Sequence, residues 1–349
     1  MSSFPGLIEG YPEVAVDLFM GKCLEASFFF LSHLHTDHMR GLRSRALQEA
    51  LKALPEPRLF CSRQSAALLA SWRDFGQLRP YLCPLEVGEP RQLTDRLLVT
   101  LLPAGHCPGS VMLLFEAGGG TVLYTGDFRM GAAELRGLAP LHDAAGRPKQ
   151  LDLLYVDTTF CTPGRRDLPD RQRSADRVVQ LVCEWLARDP RHRANLVCHA
   201  RYGYEHVFSR LREATGQPVH VSPDKLALYE RLPEIAACLT PRPHETRVHS
   251  CPPYSSCLLE VGEGSLRTVK LSTLYFFIDQ SVDTMVLQVG AAQDYRVLYS
   301  FHASLRQVEE MVRYLRPARV VPCVEPVGGS IRFRGPRGAG PFASIDGSR

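Results

Sequence analysis

The chain has 349 residues, a length that suggests about two domains. Its hydrophobic fraction of 45% and charged fraction of 22% are those of an ordinary globular protein and argue against a disordered chain. The net charge of +4 permits a polyanionic partner such as nucleic acid but does not require one. We see no signal peptide in Met1–Glu13 and no run that approaches the ~18 apolar residues of a membrane span. The 11 cysteines therefore predict a reducing compartment, with free or metal-bound thiols.

The first motif follows two predicted strands. Alternation over Glu13–Phe19 predicts a strand that carries Asp17, and the apolar run Phe28–Leu31 predicts a buried strand. The second strand is followed at once by four side chains of metal-binding type: His33, His35, Asp37 and His38. In an extended segment the first two point to the same side, and a turn into the helix predicted over Met39–Leu54 brings the other two toward them. This spacing predicts a site for zinc or a similar divalent ion rather than a solvated loop.

Later strands also lead to ligand-type side chains. The predicted strand Leu97–Leu102 leads to His106, a predicted hairpin leads to Asp127, and a further strand carries Asp157. Three strand ends thus carry possible metal ligands, namely His33, His106 and Asp127. Sites built in this way are held by a rigid sheet while the loops carry the chemistry.

From about Thr162 the pattern changes to alternating strands and helices, which predicts a small α/β insert. Two segments, Arg267–Phe277 and Thr284–Val289, are predicted to be strands that return to the first domain. A strand leading to His302 and a helix over Leu305–Leu315 follow them. The predicted boundaries are 1–160 for the first part of the main domain, 161–268 for the insert, 269–331 for the return segment and 332–349 for a disordered tail.

The carboxylate of Asp127 could bridge two ions, because it has two oxygens. One ion could take His33, His35, His106 and one oxygen of Asp127; a second could take Asp37, His38, His302 and the other oxygen. Two such ions about 3.5–4 Å apart can stabilise both the attacking and the departing oxygen in phosphodiester hydrolysis. Asp17 and Asp157 are candidate acceptors for the N–H groups that ligating histidines turn away from the ion. For Asp17, a strand-end cap is an equal alternative.

The segment His33-Leu34-His35-Thr36-Asp37-His38 resembles the signature of the metallo-β-lactamase superfamily. The insert before His302 is similar to the β-CASP cap of its nucleic-acid-processing branch. Longer strings resemble the DNA-repair nucleases of that branch: Leu101–Met112, Thr121–Arg129, Asp157–Cys161, Tyr202–Glu205 and Ser300–His302. The resemblance implies an α/β fold, the metallo-β-lactamase αββα sandwich with an inserted α/β β-CASP cap domain.

The resemblance also implies site residues. It implies metal ligands at His33, His35, Asp37, His38, His106, Asp127 and His302. It implies catalytic roles for Asp37, His38, Asp127, Asp157 and His302. The implied cofactor is Zn²⁺, with one or two ions at the active site and Mg²⁺ or Mn²⁺ as candidates in turnover.

The function implied by the resemblance is that of a metal-dependent phosphodiesterase acting on DNA. The expected activity is that of a DNA endonuclease on hairpins and overhangs, a 5′-3′ exonuclease, or both. The implied setting is double-strand break repair by non-homologous end joining in the nucleus. Val324 stands where members acting on DNA tend to carry valine and members acting on RNA tend to carry histidine. That position favours DNA over the alternative of a β-CASP RNA-processing nuclease.

Two further sites follow from the resemblance within the insert. A structural zinc is implied at His220, His249, Cys251 and Cys257, although the spacing between the two cysteines is shorter than in the family. The alternative is a turn with a free thiol. Lys270, Ser272 and Thr273 lie in a segment similar to one near the substrate phosphate, and an exposed strand face explains them nearly as well.

Departures from the family pattern limit what is expected. Thr36 stands where the DNA-repair nuclease that the chain resembles has lysine, which removes one charge beside the metals. The tail that recruits end-joining partners is absent from these 349 residues, so activation by those partners is in doubt. An inactive scaffold that binds DNA ends is a further alternative, although no ligand is missing. A small-molecule hydrolase would not need the domain-sized insert.

Overall fold

The computed structural model describes residues 3–56, 58–118, 120–162, 166–253, 255–259, 265–278, 284–290 and 293–324, together with two short strands at 332–333 and 343–344. The chain divides into two compact units. The first unit combines Met1–Asp167 with Phe301–Arg349, and the second unit is Leu168–Ser300. Most of the tail predicted to be disordered, 332–349, lies outside the described residues. None of the described helices combines the length and the apolar character that crossing a lipid bilayer requires.

The elements of the first unit before the insert are short strands and helices. They are β1 (Leu7–Ile8), β2 (Tyr11–Val16), β3 (Phe28–Phe30), α1 (Arg45–Ala53), β4 (Leu59–Ser62), α2 (Arg63–Ser71), β5 (Leu82–Leu85), β6 (Pro90–Thr94), β7 (Leu97–Pro103), β8 (Val111–Ala117), β9 (Gly120–Tyr124), α3 (Ala132–Arg136) and β10 (Leu153–Val156).

The second unit alternates strands and helices. Its elements are α4 (Arg171–Leu186), β11 (Arg193–Val197), α5 (Glu205–Thr215), β12 (Val219–His220), α6 (Pro223–Ala227), α7 (Pro233–Ala236), β13 (Leu239–Thr240), β14 (Val248–His249), α8 (Ser256–Leu259), β15 (Leu266–Ser272), α9 (Leu274–Ile278), β16 (Val286–Gln288) and β17 (Asp294–Leu298). The chain then completes the first unit with α10 (Leu305–Leu315), β18 (Arg319–Pro322), β19 (Arg332–Phe333) and β20 (Ala343–Ser344).

The first unit is a sandwich of two sheets. One sheet has the order β1-β2-β3-β4-β5 and the other has the order β18-β10-β9-β8-β7-β6. Alternate residues of each strand face opposite sides. On β8, Leu113 and Phe115 belong to the apolar core shared with β2, β3 and β4, whereas Met112 and Leu114 belong to the core covered by α3 and α10. Helix α2 contacts β4 and β5 of the other sheet. The layers are therefore helix, sheet, sheet and helix.

Serine side chains fix where three helices of this unit begin. Ser44, Ser62 and Ser304 precede α1, α2 and α10, and each hydroxyl accepts a hydrogen bond from a backbone N–H in the first helical turn. Such caps contribute about 1 kcal/mol each. The prediction that a helix begins at Met39 is therefore wrong by one and a half turns, because the helix begins only after the Ser44 cap.

The second unit is built on one seven-stranded sheet with the order β13-β12-β14-β11-β15-β17-β16. All pairs in it are parallel except β16 with β17. The prediction that Arg267–Phe277 and Thr284–Val289 are strands returning to the first domain is wrong. The strand within the first segment ends at Ser272 and pairs with β11, and the second segment forms β16 of the same sheet. The return to the first unit begins at Phe301 rather than at residue 269.

Candidate metal centre

The histidines and aspartates predicted from strand ends meet in the first unit. The loop after β3 carries His33 and His35, and a short 3₁₀ turn over Thr36–His38 follows it. The ring of His106, after β7, has its centroid 4.7 Å from that of His33. The ring of His302, before α10, lies 4.7 Å from that of His106. Side chains from distant parts of the sequence therefore share one cluster.

The carboxylate of Asp127 lies at the middle of this cluster. Its Oδ2 atom lies 3.5 Å from Nε2 of His33, 3.6 Å from Nε2 of His106 and 3.8 Å from Nδ1 of His302. Its Oδ1 atom lies 3.3 Å from Nε2 of His38. The two oxygens thus face different imidazoles, as a carboxylate shared by two ions would.

These separations fit a metal ion. Nitrogen and oxygen ligands at about 2.0–2.1 Å from a tetrahedral ion are about 3.3–3.4 Å apart. One ligand atom from each of His33, His35, His106 and Asp127 lies within 4.8 Å of the others. Moreover, Nε2 of His33 and Nε2 of His38 are buried and make no hydrogen bond within the described part of the chain. Buried polar atoms of this kind are costly unless something binds them, and a cation suits both lone pairs.

Partners on the other ring nitrogen orient the imidazoles. Nδ1 of His106 lies 2.8 Å from the carbonyl oxygen of Phe301, and Nδ1 of His302 lies 2.9 Å from Oδ2 of Asp157. Carbonyl and carboxylate oxygens only accept, so both Nδ1 atoms carry the hydrogen. This arrangement is typical of metal-binding histidines, whose free N–H is held by a carboxylate or a carbonyl.

The Asp17 carboxylate orients the His38 ring in the same way and is itself held by several hydrogen bonds. Its carboxylate accepts from Nδ1 of His38 at 2.8 Å and from the hydroxyl of Tyr124 at 2.9 Å. It also accepts from the backbone N–H of Ser32 at 2.7 Å and from the Ser32 hydroxyl at 2.5 Å. These hydrogen bonds saturate the carboxylate, which explains how Asp17 tolerates a backbone φ of +56°. This contact geometry supports the predicted supporting role and not a strand-end cap.

Gly126 allows the loop before Asp127 to pass close to Ser32. Its φ is +52°, and a Cβ atom at this position would lie 2.9 Å from the Ser32 hydroxyl oxygen. Only glycine combines that backbone conformation with so close an approach.

Imidazoles and carboxylates in the cluster shift one another's pKa values. Burial lowers the pKa of His38, but the carboxylates of Asp127 and Asp17 outweigh burial and hold that pKa well above its usual value. Burial raises the pKa of Asp127, yet the imidazoles of His38, His302 and His33 hold it well below its usual value. Burial, His302 and His33 together hold the pKa of His106 well below its usual value. Asp127 is therefore an anion surrounded by imidazoles.

The remaining predicted residues lie at the edge of the cluster. Asp37 is 35% exposed, and its Oδ2 atom lies 3.9 Å from Nε2 of His38. Asp157 is buried and is anchored by Thr159, whose backbone N–H and hydroxyl donate to Oδ1 at 2.9 and 2.6 Å. Asp127, Asp157 and His302 form a second group with ligand atoms within 4.8 Å.

A second cluster of metal-binding type lies in the second unit. Nδ1 of His220 lies 3.1 Å from Nδ1 of His249 and 3.2 Å from Sγ of Cys251, and Sγ of Cys257 lies 3.5 Å from Sγ of Cys251. Tetrahedral zinc with thiolate and imidazole ligands requires separations of about 3.3–3.8 Å. Burial, with His220 and Arg193, lowers the pKa of His249 to about 4, so its ring is neutral as a ligand must be. The structure thus brings Cys257 to the other three despite its short sequence spacing.

The predicted phosphate contacts in this unit differ from one another. Lys270 and Ser272 lie two positions apart on β15 and are both half-buried, so they share a face of the strand. The Thr273 hydroxyl donates to the carbonyl oxygen of Tyr299 at 2.6 Å. Its hydrogen is therefore used inside the protein and is not directed at a phosphate.

Sequence reasoning did not single out several residues that support the first cluster. Ser32 and Tyr124 hold Asp17, and the Arg129 guanidinium donates to the His302 carbonyl at 2.7 Å. Arg129 is only 5% exposed. Its place in the sequence, two residues after the candidate ligand Asp127, was the available signal.

Known proteins resemble this chain over most of its length. Residues 265–328 match the family described as DNA repair metallo-beta-lactamase. The chain is 37% identical to protein artemis of Homo sapiens over 94% of its own length and 50% of that protein. It is 34% identical to protein artemis of Danio rerio over 95% of its length and 54% of that protein. It is 34% identical to 5' exonuclease Apollo of Gallus gallus over 91% of its length and 63% of that protein. The chain spans about half the length of its artemis relatives.

A solved structure of a protein of unknown function from Enterococcus faecalis V583 also matches. Its TM-score is 0.55 at 15% identity, and the match covers 85% of this chain and 76% of that chain. This likeness concerns the fold alone. The predicted α/β fold, an αββα sandwich with a β-CASP insert, is confirmed by the family match and by the two-sheet architecture. Given these matches, this chain is homologous to the artemis and Apollo proteins, and residues 265–328 carry the sequence of the DNA repair metallo-beta-lactamase family.

Proposed function

We propose that this protein is a metal-dependent nuclease that hydrolyses phosphodiesters at DNA ends. The observation that carries the proposal is the shared carboxylate of Asp127, whose Oδ2 atom lies 3.5 Å from Nε2 of His33 and whose Oδ1 atom lies 3.3 Å from Nε2 of His38. One ion would be held by His33, His35, His106 and Asp127. A second would be held by Asp37, His38, His302 and Asp127. Zn²⁺ suits this mixture of imidazole and carboxylate, and Mg²⁺ or Mn²⁺ are the candidates for turnover.

Divalent ions held by these residues would supply Lewis acidity for polarising the phosphodiester and activating water. The chain's own residues supply the geometry. Asp17 holds the Nδ1 hydrogen of His38, Asp157 holds that of His302, and the Phe301 carbonyl holds that of His106. Each ring is therefore fixed in orientation before substrate binds, which is the preorganisation that phosphoryl transfer requires.

DNA is the proposed substrate. The matching family is described as one of DNA repair, and one relative is named a 5' exonuclease. Val324, at the position where RNA-acting members tend to carry histidine, agrees with this choice. We propose endonuclease activity on hairpins and overhangs, 5′-3′ exonuclease activity, or both. Non-homologous end joining in the nucleus is the corresponding setting.

A cleavage assay tests the proposal. Purified protein is given 5′-phosphorylated single strands, duplexes with overhangs and hairpins, each with a matched RNA. We expect cutting of at least one DNA that depends on divalent metal, and its loss in Asp37→Ala. Asp143→Ala is the control, since Asp143 is a surface aspartate of the same unit, paired with Arg147 at 2.8 Å. Failure to cut any DNA, with metal bound, would favour a scaffold that binds DNA ends, and better cutting of RNA would favour an RNA-processing enzyme.

We also propose that the second unit holds a structural zinc through His220, His249, Cys251 and Cys257. The support is the set of ligand-atom separations of 3.1–3.5 Å. Zinc content per chain tests it independently of activity. We expect Cys257→Ser to lose one zinc and to melt at a lower temperature, whereas Cys183→Ser, at a half-buried free cysteine of the same unit, should lose none. Unchanged zinc content in Cys257→Ser would refute the site.

A further inference from the structure

Ser32 is a fully buried serine beside the candidate metal centre, two residues after β3 and directly before His33. Its backbone N–H donates to Oδ1 of Asp17 at 2.7 Å, and its carbonyl oxygen accepts from the backbone N–H of Val111 at 3.0 Å. A Cβ atom at Gly126 would lie 2.9 Å from its hydroxyl oxygen. The hydroxyl is therefore held in one place by the groups that surround it.

The Ser32 hydroxyl makes two hydrogen bonds whose directions can be assigned. Its oxygen lies 2.5 Å from Oδ2 of Asp17 and 2.9 Å from Nδ1 of His33. A carboxylate oxygen only accepts, so the single hydroxyl hydrogen points to Asp17. The serine oxygen then accepts from His33, whose ring hydrogen must lie on Nδ1. The hydroxyl thus fixes the tautomer of the His33 ring.

This tautomer leaves Nε2 as the His33 ring atom with a free lone pair. The atom is buried, makes no hydrogen bond within the described part of the chain and lies 3.5 Å from Oδ2 of Asp127. It is therefore the atom that the first ion would bind, together with His35, His106 and Asp127. A His33 ring with its hydrogen on Nε2 would direct that hydrogen at the ion and could not serve as a ligand.

The same oxygen of Asp17 also accepts from a candidate ligand of the second ion. Nδ1 of His38 lies 2.8 Å from Oδ2, so the hydrogen of this ring is directed at the same atom. Within the described residues, Asp17 makes no hydrogen bond with His33 itself. Asp17 therefore reaches His38 directly and reaches His33 only through the Ser32 hydroxyl.

We propose that Ser32 is a positioning residue that transmits the charge of Asp17 to His33 and so sets the tautomer in which His33 binds the first ion. One carboxylate oxygen then orients a ligand of each ion. The proposal rests on the proposed function for the presence of two ions. It adds to the role of Asp17 as the partner of His38, because a change at Asp17 must also weaken binding of the first ion.

Asp17→Asn reverses the direction of this chain of hydrogen bonds. The NH₂ group of asparagine donates where the carboxylate accepted, so the hydroxyl hydrogen of Ser32 turns to Nδ1 of His33. The His33 ring then carries its hydrogen on Nε2, the atom that the ion needs. Ser32→Ala removes the chain and leaves the Nδ1 hydrogen of a fully buried ring without an acceptor. Both substitutions disfavour the tautomer that binds metal.

The zinc affinity of each ion site, measured separately and without DNA, tests the proposal. Asp37→Ala removes a ligand of the second ion and leaves the first site to be measured, and His35→Ala does the reverse. Affinity is determined by competition with a chromophoric chelator. We expect Ser32→Ala to weaken the first site about 10–100-fold, as loss of a partner of a ligating histidine does. The second site should change much less, because His38 keeps its hydrogen bond to Asp17.

A double-mutant cycle in the Asp37→Ala background tests the transmission. Asp17→Asn should weaken the first site when Ser32 is present and should have little further effect in Ser32→Ala, because the two residues act along one chain of hydrogen bonds. An equal effect of Asp17→Asn with and without the Ser32 hydroxyl would refute the transmission. A first site of unchanged affinity in Ser32→Ala would refute the positioning role.

Ser174→Ala is the matched control. Ser174 is fully buried like Ser32, and its hydroxyl donates to the carbonyl oxygen of Leu298 at 2.8 Å in the second unit. The control should lower the melting temperature and leave the first site unchanged; an equal loss of zinc affinity in both variants would refute the positioning role. If Ser32→Ala does not fold, Asp17→Asn in the Asp37→Ala background gives the answer, since an unchanged first site there refutes the proposal.

Failure of this inference is distinguishable from failure of the proposed function. Wild-type protein that binds no zinc in its first unit would refute the metal centre and the proposed function together. Zinc binding by the wild type without cleavage of any DNA would refute the nuclease alone. Wild-type zinc affinity in Ser32→Ala, with cleavage intact, would refute this inference alone.

Discussion

Asp17 offers a sharp test of how the metal centre is built, because it contacts His38 and other donor groups without lying at the middle of the cluster. Its carboxylate accepts hydrogen bonds from His38, Tyr124 and Ser32. Asp17→Asn keeps the size of the side chain and suits its left-handed backbone, since asparagine and aspartate tolerate positive φ. The substitution therefore changes hydrogen bonding while leaving packing intact.

The size of the expected stability loss follows from the number of buried hydrogen-bond donors that lose their acceptor. The amide oxygen of the introduced asparagine can still accept from the backbone N–H of Ser32, but its NH₂ group now faces the Nδ1 hydrogen of His38 and the hydroxyls of Tyr124 and Ser32. A buried donor without an acceptor costs about 1–3 kcal/mol, and the Tyr124 hydroxyl can rotate whereas Nδ1 of His38 cannot. We expect a loss of about 2–3 kcal/mol in the free energy of unfolding. Loss of a partner that orients a ligating histidine typically weakens metal binding about 10–100-fold.

Urea unfolding measures the first quantity, and zinc affinity from competition with a chromophoric chelator measures the second. Asp143→Asn, at an exposed aspartate paired with Arg147, should change neither. Tyr124→Phe removes one donor and leaves His38 bound to Asp17, so it should weaken zinc binding much less. Zinc affinity in Asp17→Asn equal to that of the wild type would show that Asp17 does not orient His38 for metal.

Two further predictions concern single positions. Gly126→Ala should lower both the melting temperature and the zinc affinity, because its Cβ would lie 2.9 Å from the Ser32 hydroxyl at a φ of +52°. Gly146→Ala is its control, with a φ of +73° and no atom within 4 Å of its Cβ; equal effects of the two substitutions would contradict the role given to the close approach. Burial raises the pKa of Glu205 above its ordinary 4.5, so the folded state binds this proton more tightly than the unfolded state. The wild type should therefore lose stability relative to Glu205→Gln as the pH rises above about 4.5 in urea titrations, and a stability difference independent of pH would refute this reasoning.

Local sequence patterns were sufficient to predict many residues of the candidate site. A strand followed by closely spaced ligands predicts His33 and His35, and the same rule applied to β7 and β9 predicts His106 and Asp127. The helix over Leu305–Leu315 is confirmed at both ends, because its apolar stripe is regular and a serine cap precedes it. These features depend on residues within about one helical turn or one strand of each other.

Features that depend on distant contacts were missed or predicted wrongly. Tyr124 reaches Asp17 across 107 positions, and no local pattern marks a strand tyrosine as the partner of a carboxylate. The sequence of the strand Leu266–Ser272 is equally compatible with either unit. The strand belongs to the second unit because it pairs with β11, and no local sequence pattern predicts that pairing. The apolar run Leu274–Phe277 lies in a helix and not in the predicted strand, because short apolar runs do not distinguish helix from strand.

The central claim is that the cluster around Asp127 holds the metal that makes the protein a nuclease. The metal of the first unit is removed from the protein while the zinc of the second unit is retained. This protein is then titrated with Zn²⁺, Mn²⁺ or Mg²⁺, and the rate of cleavage of a labelled DNA overhang is followed. We predict that the rate rises with the metal bound in the first unit and that His33→Ala shows no rise with any of the three ions. Cleavage by the depleted protein at the full rate, or by His33→Ala at the rate of the wild type, would contradict the account.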